Sequence, residues 1–516
     1  MKILLIAPYI DRSFDRPTNS KVSEVETLNR EDFIPSTALL CLGAMLRENN
    51  YEPVLLDLNN NEVHQYRETY LDYCNKSIID KINENKPELI GINCLFSGSF
   101  PYVLEYAKAI KSHSPHIKIA IGGMHPSTFP KEILTNCKDI DYISIGEGEK
   151  AMIALANSVK TKNENLLSSI KAFAYRGKDG EIKINRQANY IDDLNTLPMP
   201  AWDLLDIKKF EMNLDHYYNP PKLPLKYKAV VLTSRACPCE CNFCDIFMVM
   251  GQKHRKRSVK LIVDELELLN GDYGVNYISF MDDNLTLNRA HIMDLCNELI
   301  KRKLHKRLIW DTPSGLWINS LREEVIAKMV ESGFVKAAIS VEHGNDYIRN
   351  KVIKKYLDRK KIYEVAALLK KYKVMTTGYF IMGFPEETHE TLQDTYDMLE
   401  ELQLDKNSVS TLMPFPGTSL YKQVVRDKLF LRNWNLDELW KTPISLGQDE
   451  FIIKPYKMSV DELYTWRKKF DQIILKYWNT NAFNPATLGE GLTPDASGIR
   501  PRLNYGFNKN TSAFKA

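Results

Sequence analysis

The residues of this chain best equipped for chemistry are the four cysteines crowded into Ser234-Arg235-Ala236-Cys237-Pro238-Cys239-Glu240-Cys241-Asn242-Phe243-Cys244. Cys237, Cys241 and Cys244 have the spacing C-x3-C-x2-C, which gathers three soft ligands on a single loop. Clustered thiolates favour zinc or iron-sulfur centres. A structural zinc wants a fourth ligand, normally from a second Cys/His knuckle, and none is apparent elsewhere in the chain. Recruiting Cys239 beside the other three would crowd one short loop. A four-iron cluster held by only three thiolates keeps one iron open to another ligand. On that reading Cys239 is an unligated neighbour.

The apolar run Ala229-Val230-Val231-Leu232 reads as a buried strand and places the cysteine loop at its carboxyl end. From about 227 to 412 strand and helix patterns alternate: a helix from Val259 to Leu269, strand Tyr277 to Met281, helix Arg289 to Arg302 and strand Leu308 to Trp310. Helix Leu321 to Ser332 and strands Ala337 to Glu342, Thr377 to Met382 and Ser408 to Leu412 follow. Six such units predict an open, partial (β/α)6 barrel, with its active site at the carboxyl ends of the strands. Residues 1–155 alternate in the same way, with strands at Lys2 to Ala7, Val54 to Asp57, Leu89 to Asn93, Ile117 to Gly122 and Tyr142 to Ile145. This predicts a doubly wound, Rossmann-like domain whose ligand lies beyond the carboxyl strand ends. The residues at those ends are Pro8, Tyr9, Asp57, Ser97, Gly98, Gly122, Gly123, His125, Gly146, Glu147 and Gly148.

A chain of 516 residues, 44% hydrophobic and 26% charged, is expected to fold as two or three domains. Its 69 basic and 66 acidic residues leave a net charge of +3, which gives no reason to expect nucleic-acid binding. Apart from the clustered four, the cysteines are scattered singly, which suits a reducing, cytoplasmic compartment better than a disulfide framework. The apolar start Met1 to Tyr9 is too short for a signal peptide and reads as a first strand. No apolar run approaches the ~20 residues that span a bilayer. Residues 156–226 read as a linker with a small subdomain, in which the proline-stiffened Leu197 to Trp202 acts as a spacer. Residues 413–516 are expected to be mostly helical, with one helix from Val460 to Tyr477, to cap the barrel mouth and to end in a polar tail from about Thr487. The basic run Lys253 to Arg257 reads as a solvated turn, and Trp310 and Trp317 as packing at the barrel rim.

The cysteine spacing and Phe243 before the last cysteine resemble the radical S-adenosylmethionine enzymes. Pro35-Ser36-Thr37-Ala38-Leu39, Gly122-Gly123-Met124-His125 and Gly146-Glu147-Gly148-Glu149 resemble the cobalamin-binding domain of one large subclass. The D-x-H-x-x-G motif that places a histidine on cobalt is missing, as it generally is in that subclass. His125 therefore reads as a packing or ligand-contacting residue rather than a cobalt ligand. The resemblance implies a [4Fe-4S] cluster on Cys237, Cys241 and Cys244, with S-adenosylmethionine bound near Phe243, Asp282, Glu342 and Gly383. It also implies that cobalamin is held by Pro8, Tyr9, Thr37, Asp57, Ser97, Gly98, Gly122, Gly123, His125, Gly146, Glu147 and Gly148. His343 and Asn345 stand where relatives usually carry Ser, which would alter how the cofactor's carboxylate is held.

The implied activity is reductive cleavage of S-adenosylmethionine by an electron from a flavodoxin or ferredoxin, followed by methylation of an unactivated carbon or phosphorus of a small-molecule substrate. A cyclase or rearrangement enzyme of the same class remains open, as does an iron-sulfur carrier or sensor, or a zinc-stabilised binding protein. Lipid, tetrapyrrole, peptide and natural-product substrates all occur among similar proteins.

Overall fold

The computed structural model describes residues 1–9, 34–60, 62, 70–211, 218–431, 436–441 and 451–481. The expected polar tail from Thr487 lies outside them.

Two sheets organise the chain. The first contains β1 (Lys2–Ala7), β2 (Glu52–Asp57), β3 (Leu89–Asn93), β4 (Lys118–Gly122), β5 (Tyr142–Ser144), β6 (Phe173–Arg176) and β7 (Ile182–Asn185), in the order β2-β1-β3-β4-β5-β6-β7. Strands β1 to β5 are parallel, and β6 and β7 add antiparallel to the edge. The run Ile3 to Ala7 is almost wholly buried because helices cover both faces, as expected of a central parallel strand. These helices are α1 (Thr37–Glu48), α2 (Tyr70–Asn85), α3 (Phe100–His113), α4 (Met124–Thr128), α5 (Pro130–Asn136) and α6 (Glu149–Thr161). Strand order reverses between β1 and β3, so a crevice opens at their carboxyl ends, beside Pro8-Tyr9 and Ser97-Gly98.

The second sheet is a six-stranded, all-parallel open barrel of β8 (Tyr227–Val231), β11 (Val275–Phe280), β12 (Ile309–Thr312), β13 (Phe334–Glu342), β14 (Met375–Met382) and β15 (Lys406–Thr411), in that spatial order. Between β8 and β11, the short antiparallel pair β9 (Ser234–Arg235) and β10 (Arg255–Lys256) brackets the cysteine loop and α7 (Phe247–Met250). Helices α8 (Val259–Asp272), α9 (Arg289–Lys301), α10 (Glu323–Glu331), α11 (Arg359–Lys371) and α12 (His389–Leu402) make the crossovers, followed by α13 (Ser419–Arg426) and α14 (Val460–Asn481). Their starts are set by local capping: Ser258, Asn288 and Asp358 accept from first-turn amides, and Thr388 forms a reciprocal box with Thr391.

Three expectations are corrected here. The stretch read as a linker supplies β6 and β7 to the first sheet, because its alternating residues complete a hydrogen-bonded edge. The proline-stiffened connector is packed in place: the Ala201 amide donates to Leu40 O, and the buried Trp202 indole donates to Glu265 Oε1 at 3.0 Å. Helix α14 lies against α12 and β15, with Leu463, Trp466 and Phe470 in the core. This helix of the expected cap therefore sheathes the last strand, while Phe451 of the same region packs beside Gly383 at the end of β14. Trp310 is fully buried between Phe280 and Phe334, the packing role expected of it.

Candidate active site

The cysteine loop is anchored at its root by the Asp282-Asp283 turn after β11. Asp282, fully inside, accepts from the Thr233 amide and hydroxyl and from the Ser234 hydroxyl, and Asp283 Oδ2 accepts from the Ala236 amide at 2.9 Å. Burial raises the pKa of both carboxyls, Asp283 to about 6, against the pull of these donors. Asp282 is thus turned toward the loop's backbone. The far side of the loop is stitched to the barrel rim, since the Asn242 amide donates to Ile353 O and the Leu420 amide to Asn242 O.

Cys237, Cys241 and Cys244 lie within one another's electrostatic field. The neighbouring Cys239 lowers the Cys237 pKa and Cys237 in turn raises that of Cys239, while burial pushes Cys241 up to about 11 and Cys244 to about 12. Asn284 Nδ2 donates to Cys237 Sγ at 3.9 Å. No three His, Cys, Asp or Glu side chains among the described residues are gathered closely enough to hold a single metal ion. Three thiols on one loop, spaced too widely for one ion and with a donor to Cys237 Sγ, fit a multi-iron cluster, whose thiolates ligate separate irons.

Glu342 closes β13 in the left-handed region, with φ of +68°, where the β13–β14 register shifts. Its carboxylate meets Lys355 Nζ at 2.8 Å. Burial opposes the Lys355 charge, but Glu342 and the neighbouring Cys241 outweigh it, so the pKa stands above its ordinary value. Sequence reasoning missed Lys355. It lies 13 positions after Glu342, in a run of lysines that looks solvent-facing, and only the backbone turn separates it from its neighbours.

His343 does not face the site. Fully buried, it accepts the Asn345 amide on Nδ1 and pairs through Nε2 with Glu387 at 2.7 Å. The other Glu387 oxygen accepts the Gly383 amide at 2.7 Å. The expected influence of His343 on the cofactor's carboxylate is therefore replaced by a strut between the ends of β13 and β14. Gly383 has φ of +97°, and a Cβ there would lie 3.3 Å from the Phe451 ring, a contact from the C-terminal region. Phe243 sits beside Phe384 in the same corner.

At the first sheet, Ser97 Oγ holds His125 Nδ1 at 2.9 Å, with the imidazole buried against Phe100 and Phe129. Burial lowers the His125 pKa to about 4, which keeps the ring neutral. Its Nε2 makes no well-formed hydrogen bond, and the Trp440 backbone is the neighbouring polar group. Gly123 is obligatory: at φ of +122°, a Cβ would lie 2.4 Å from Cys94 O. Gly98 opens onto empty space, Gly122 lies under Ser144, and Thr37 begins α1. Tyr9 packs with Tyr70 and Tyr102, two rings the sequence did not flag, and Pro8 O accepts from Asn59. Asp57 is committed to backbone, accepting the Ser36 amide at 2.8 Å and the Asn59 amide at 3.0 Å. Leu95 and Phe96 beyond β3, and Phe247 and Met281 beyond β8 and β11, are exposed apolar side chains. An open backbone at Gly98 and the exposed Leu95 and Phe96 at the switch-point crevice fit a large ligand such as a corrin.

The loop after β5 joins the two halves. Gly146 has φ of +73°, with Val249 O 3.2 Å from where its Cβ would stand, so α7 presses on it. Glu147 Oε1 pairs with Arg255 at 2.7 Å and Arg235 at 3.4 Å, and its Oε2 accepts the Ile191 amide. Glu149, one residue beyond Gly148, pairs with Arg235 at 2.6 Å. Burial works against the Glu149 charge, but Arg235 outweighs it and holds the pKa below its ordinary value. Glu147 is thus spent on the domain contact. Arg257 pairs with the buried Glu265 at 2.6 Å. The solvated-turn reading fails for Arg255 and Arg257, because buried carboxylates on other elements draw them in.

The B12 binding domain family matches residues 26–156, and the Radical SAM superfamily matches residues 231–399. An uncharacterised methyltransferase of Pyrococcus horikoshii is 27% identical over 435 residues, 84% of this chain and 85% of its own. Cytidylyl-2-hydroxyethylphosphonate methyltransferase of Streptomyces wedmorensis is 27% identical over 437 residues, 78% of this chain and 80% of its own. Among solved structures, the radical S-adenosylmethionine methyltransferase TsrM of Kitasatospora setae, with cobalamin and a [4Fe-4S] cluster bound, has the same fold. Its TM-score is 0.64 at 18% identity, covering 89% of this chain and 83% of that one.

Proposed function

We propose that this chain, a B12-binding domain followed by a radical S-adenosylmethionine domain, is a cobalamin-dependent radical methyltransferase. It would act on an unactivated carbon or phosphorus of a natural-product, lipid or related substrate, in keeping with the phosphonate methyltransferase it resembles. The observation that carries this reading is the meeting of the two carboxyl ends. The loop after β5 and the root of the cysteine loop are locked together through Arg235, and α4 packs on α7. A group held on one sheet would then face a group held on the other.

When bound, the cluster supplies the electron that cleaves S-adenosylmethionine to a 5'-deoxyadenosyl radical, and cobalamin supplies the methyl group. The protein's share is to hold, orient and exclude water. Cys237, Cys241 and Cys244 would ligate iron while Cys239 stays a thiol. Glu342 and Lys355 offer a carboxylate and an ammonium to the amino and carboxylate groups of S-adenosylmethionine, and Gly383 leaves a flat edge for the adenine. Ser97, Gly98, Gly123 and His125 would seat the corrin, with Leu95, Phe96, Phe247 and Met281 walling the crevice against water. Electrons would come from a flavodoxin or ferredoxin in a reducing, cytoplasmic setting.

The test is anaerobic purification with added cobalamin, followed by iron, sulfide and cobalt analysis and an assay for 5'-deoxyadenosine. About four irons per chain with stoichiometric cobalt, and release of 5'-deoxyadenosine, are expected. Iron without cobalt after reconstitution would replace methylation with a cobalamin-independent cyclisation or rearrangement.

A further inference from the structure

We infer that the exposed face carrying Tyr347, Lys351, Lys354 and Tyr356 is the docking surface for an acidic one-electron carrier of the flavodoxin or ferredoxin kind. This rests on the reading of Cys237, Cys241 and Cys244 as cluster ligands.

Three observations combine. The first is composition against solvent. Tyr347 and Tyr356 are 58% and 67% exposed, the two most exposed large hydrophobic side chains among the described residues. Tyr347 and Lys351 are four apart around a π-helical turn (Ile348–Val352) and share its outer side. Of the loop's basic groups, Arg349 pairs with Asp346 and Lys355 with Glu342, whereas Lys351 and Lys354 make no ion pair among the described residues. In a chain with a net charge of only +3, these unneutralised lysines beside two aromatic rings form a local feature. Aromatic and basic groups together make a weak, steered interface of the kind electron carriers use.

The second observation is distance to the cysteines. The backbone alternates: Lys354 and Tyr356 point out, while Lys355 between them points in to Glu342 and lies in the field of Cys239 and Cys241. Ile353 O accepts the amide of Asn242, the residue next to Cys241. The turn that carries this face is thus bonded directly to the cysteine loop, and a carrier seated on it would have a short path to the cluster.

The third observation is that the turn is built to hold this shape. Lys354 and Tyr356 both take left-handed backbone, with φ of +65° and +53°, which ordinary side chains adopt only when the surroundings impose it. Arg349, fully buried, imposes it by donating to His343 O, Gly344 O and Leu357 O, which ties the two ends of the loop together. The redox step is a single electron from the reduced carrier to the oxidised cluster, with no atom transferred.

The experiment measures anaerobic reduction of the reconstituted holoenzyme's cluster by absorbance and electron paramagnetic resonance. Reduced flavodoxin is compared with photoreduced 5-deazariboflavin, for the parent protein and for the Lys351→Glu/Lys354→Glu variant. Expected at low salt is a loss of roughly tenfold or more in the flavodoxin rate, a flattened salt dependence, and an unchanged rate with the uncharged deazaflavin. Equal rates with flavodoxin would overturn the surface assignment. So would a raised KM for an anionic substrate with flavodoxin reduction intact, which would make the face a substrate rim. Equal losses with both reductants would mean that the substitutions disturb the cluster itself, and would also count against docking. A parent protein that binds no reducible four-iron cluster would fail the underlying reading, and this is seen in the iron and sulfide analysis before any rate is measured.

Discussion

Cys237 and Cys239 stand two positions apart on one loop, yet their thiols are shifted in opposite directions, Cys237 down and Cys239 up, and Cys237 Sγ accepts from Asn284. Changing Cys237, Cys241 or Cys244 to Ala is expected to abolish cluster assembly, read as loss of iron and sulfide, whereas Cys239→Ala keeps iron near the parent value. Loss of the cluster on changing Cys239 alone would reverse the ligand assignment. Asp57 gives a second residue-scale test. Burial lifts its carboxyl pKa from 3.8 to about 7, only partly offset by the Ser36 and Asn59 amides. Below the lower value both folded and unfolded states are protonated. Between the two the unfolded chain has lost its proton while the folded one keeps it, so stability falls as pH rises through this window. Asp57→Asn should flatten that slope in melting temperature measured from about pH 4 to 7 on the apoprotein. An unchanged slope would mean that Asp57 is not the titrating group.

Among the elements, the loop after β5 and the bracketing pair β9–β10 act as one joint. Arg235, Arg255, Glu147 and Glu149 are all buried there, two charges of each sign from opposite halves of the molecule. Removing one partner leaves an uncompensated buried charge, at a cost of about 3–5 kcal/mol. Arg235→Gln is accordingly expected to destabilise the protein by that order in chemical denaturation. Arg235→Lys, which keeps the charge but not the fork, should lose less. If Arg235→Gln costs under ~1 kcal/mol, the joint is a solvated surface pair and not a buried latch. The same elements explain the misread basic run. Arginines at 255 and 257 look solvated along the chain because their carboxylates, Glu147 and Glu265, are supplied by other elements.

For the whole molecule, the two larger hydrophobic cores among the described residues do not follow the two sheets. One joins Ile3 and Leu5 of β1 to Val231 of β8 and Phe470 of α14, and the other joins Leu4 and Ile6 to Phe384, Leu420 and Ile453. Because each core draws on both halves, the protein should unfold in one cooperative transition, measured by scanning calorimetry on the apoprotein. Two resolved transitions would show that the halves are independent. Cobalamin at about a hundred times its dissociation constant should add close to 2.7 kcal/mol, seen as a higher melting temperature.

What the sequence determined by itself was whatever depends on near neighbours. Periodicities of two and 3.6 marked the parallel strands of both sheets, though not the edge strands β6 and β7, because burial on one face is written in adjacent residues. The thiolate spacing marked the candidate cluster loop, because the ligands proposed for it lie within eight positions, Cys237 to Cys244. The strand-end positions, from Pro8 and Tyr9 to Gly383, were legible for the same reason, since a ligand site in such sheets follows from where strands stop. Tertiary structure decided which of those positions face a ligand and which face protein. Asp57, Glu147, Asp282 and His343 are taken up by partners 21, 108, 49 and 44 positions away, at Ser36, Arg255, Thr233 and Glu387. Lys355 joins the cysteines through a turn whose left-handed residues carry no glycine to announce it. A buried charge finds its partner by distance in space, and separation along the chain holds no record of that distance.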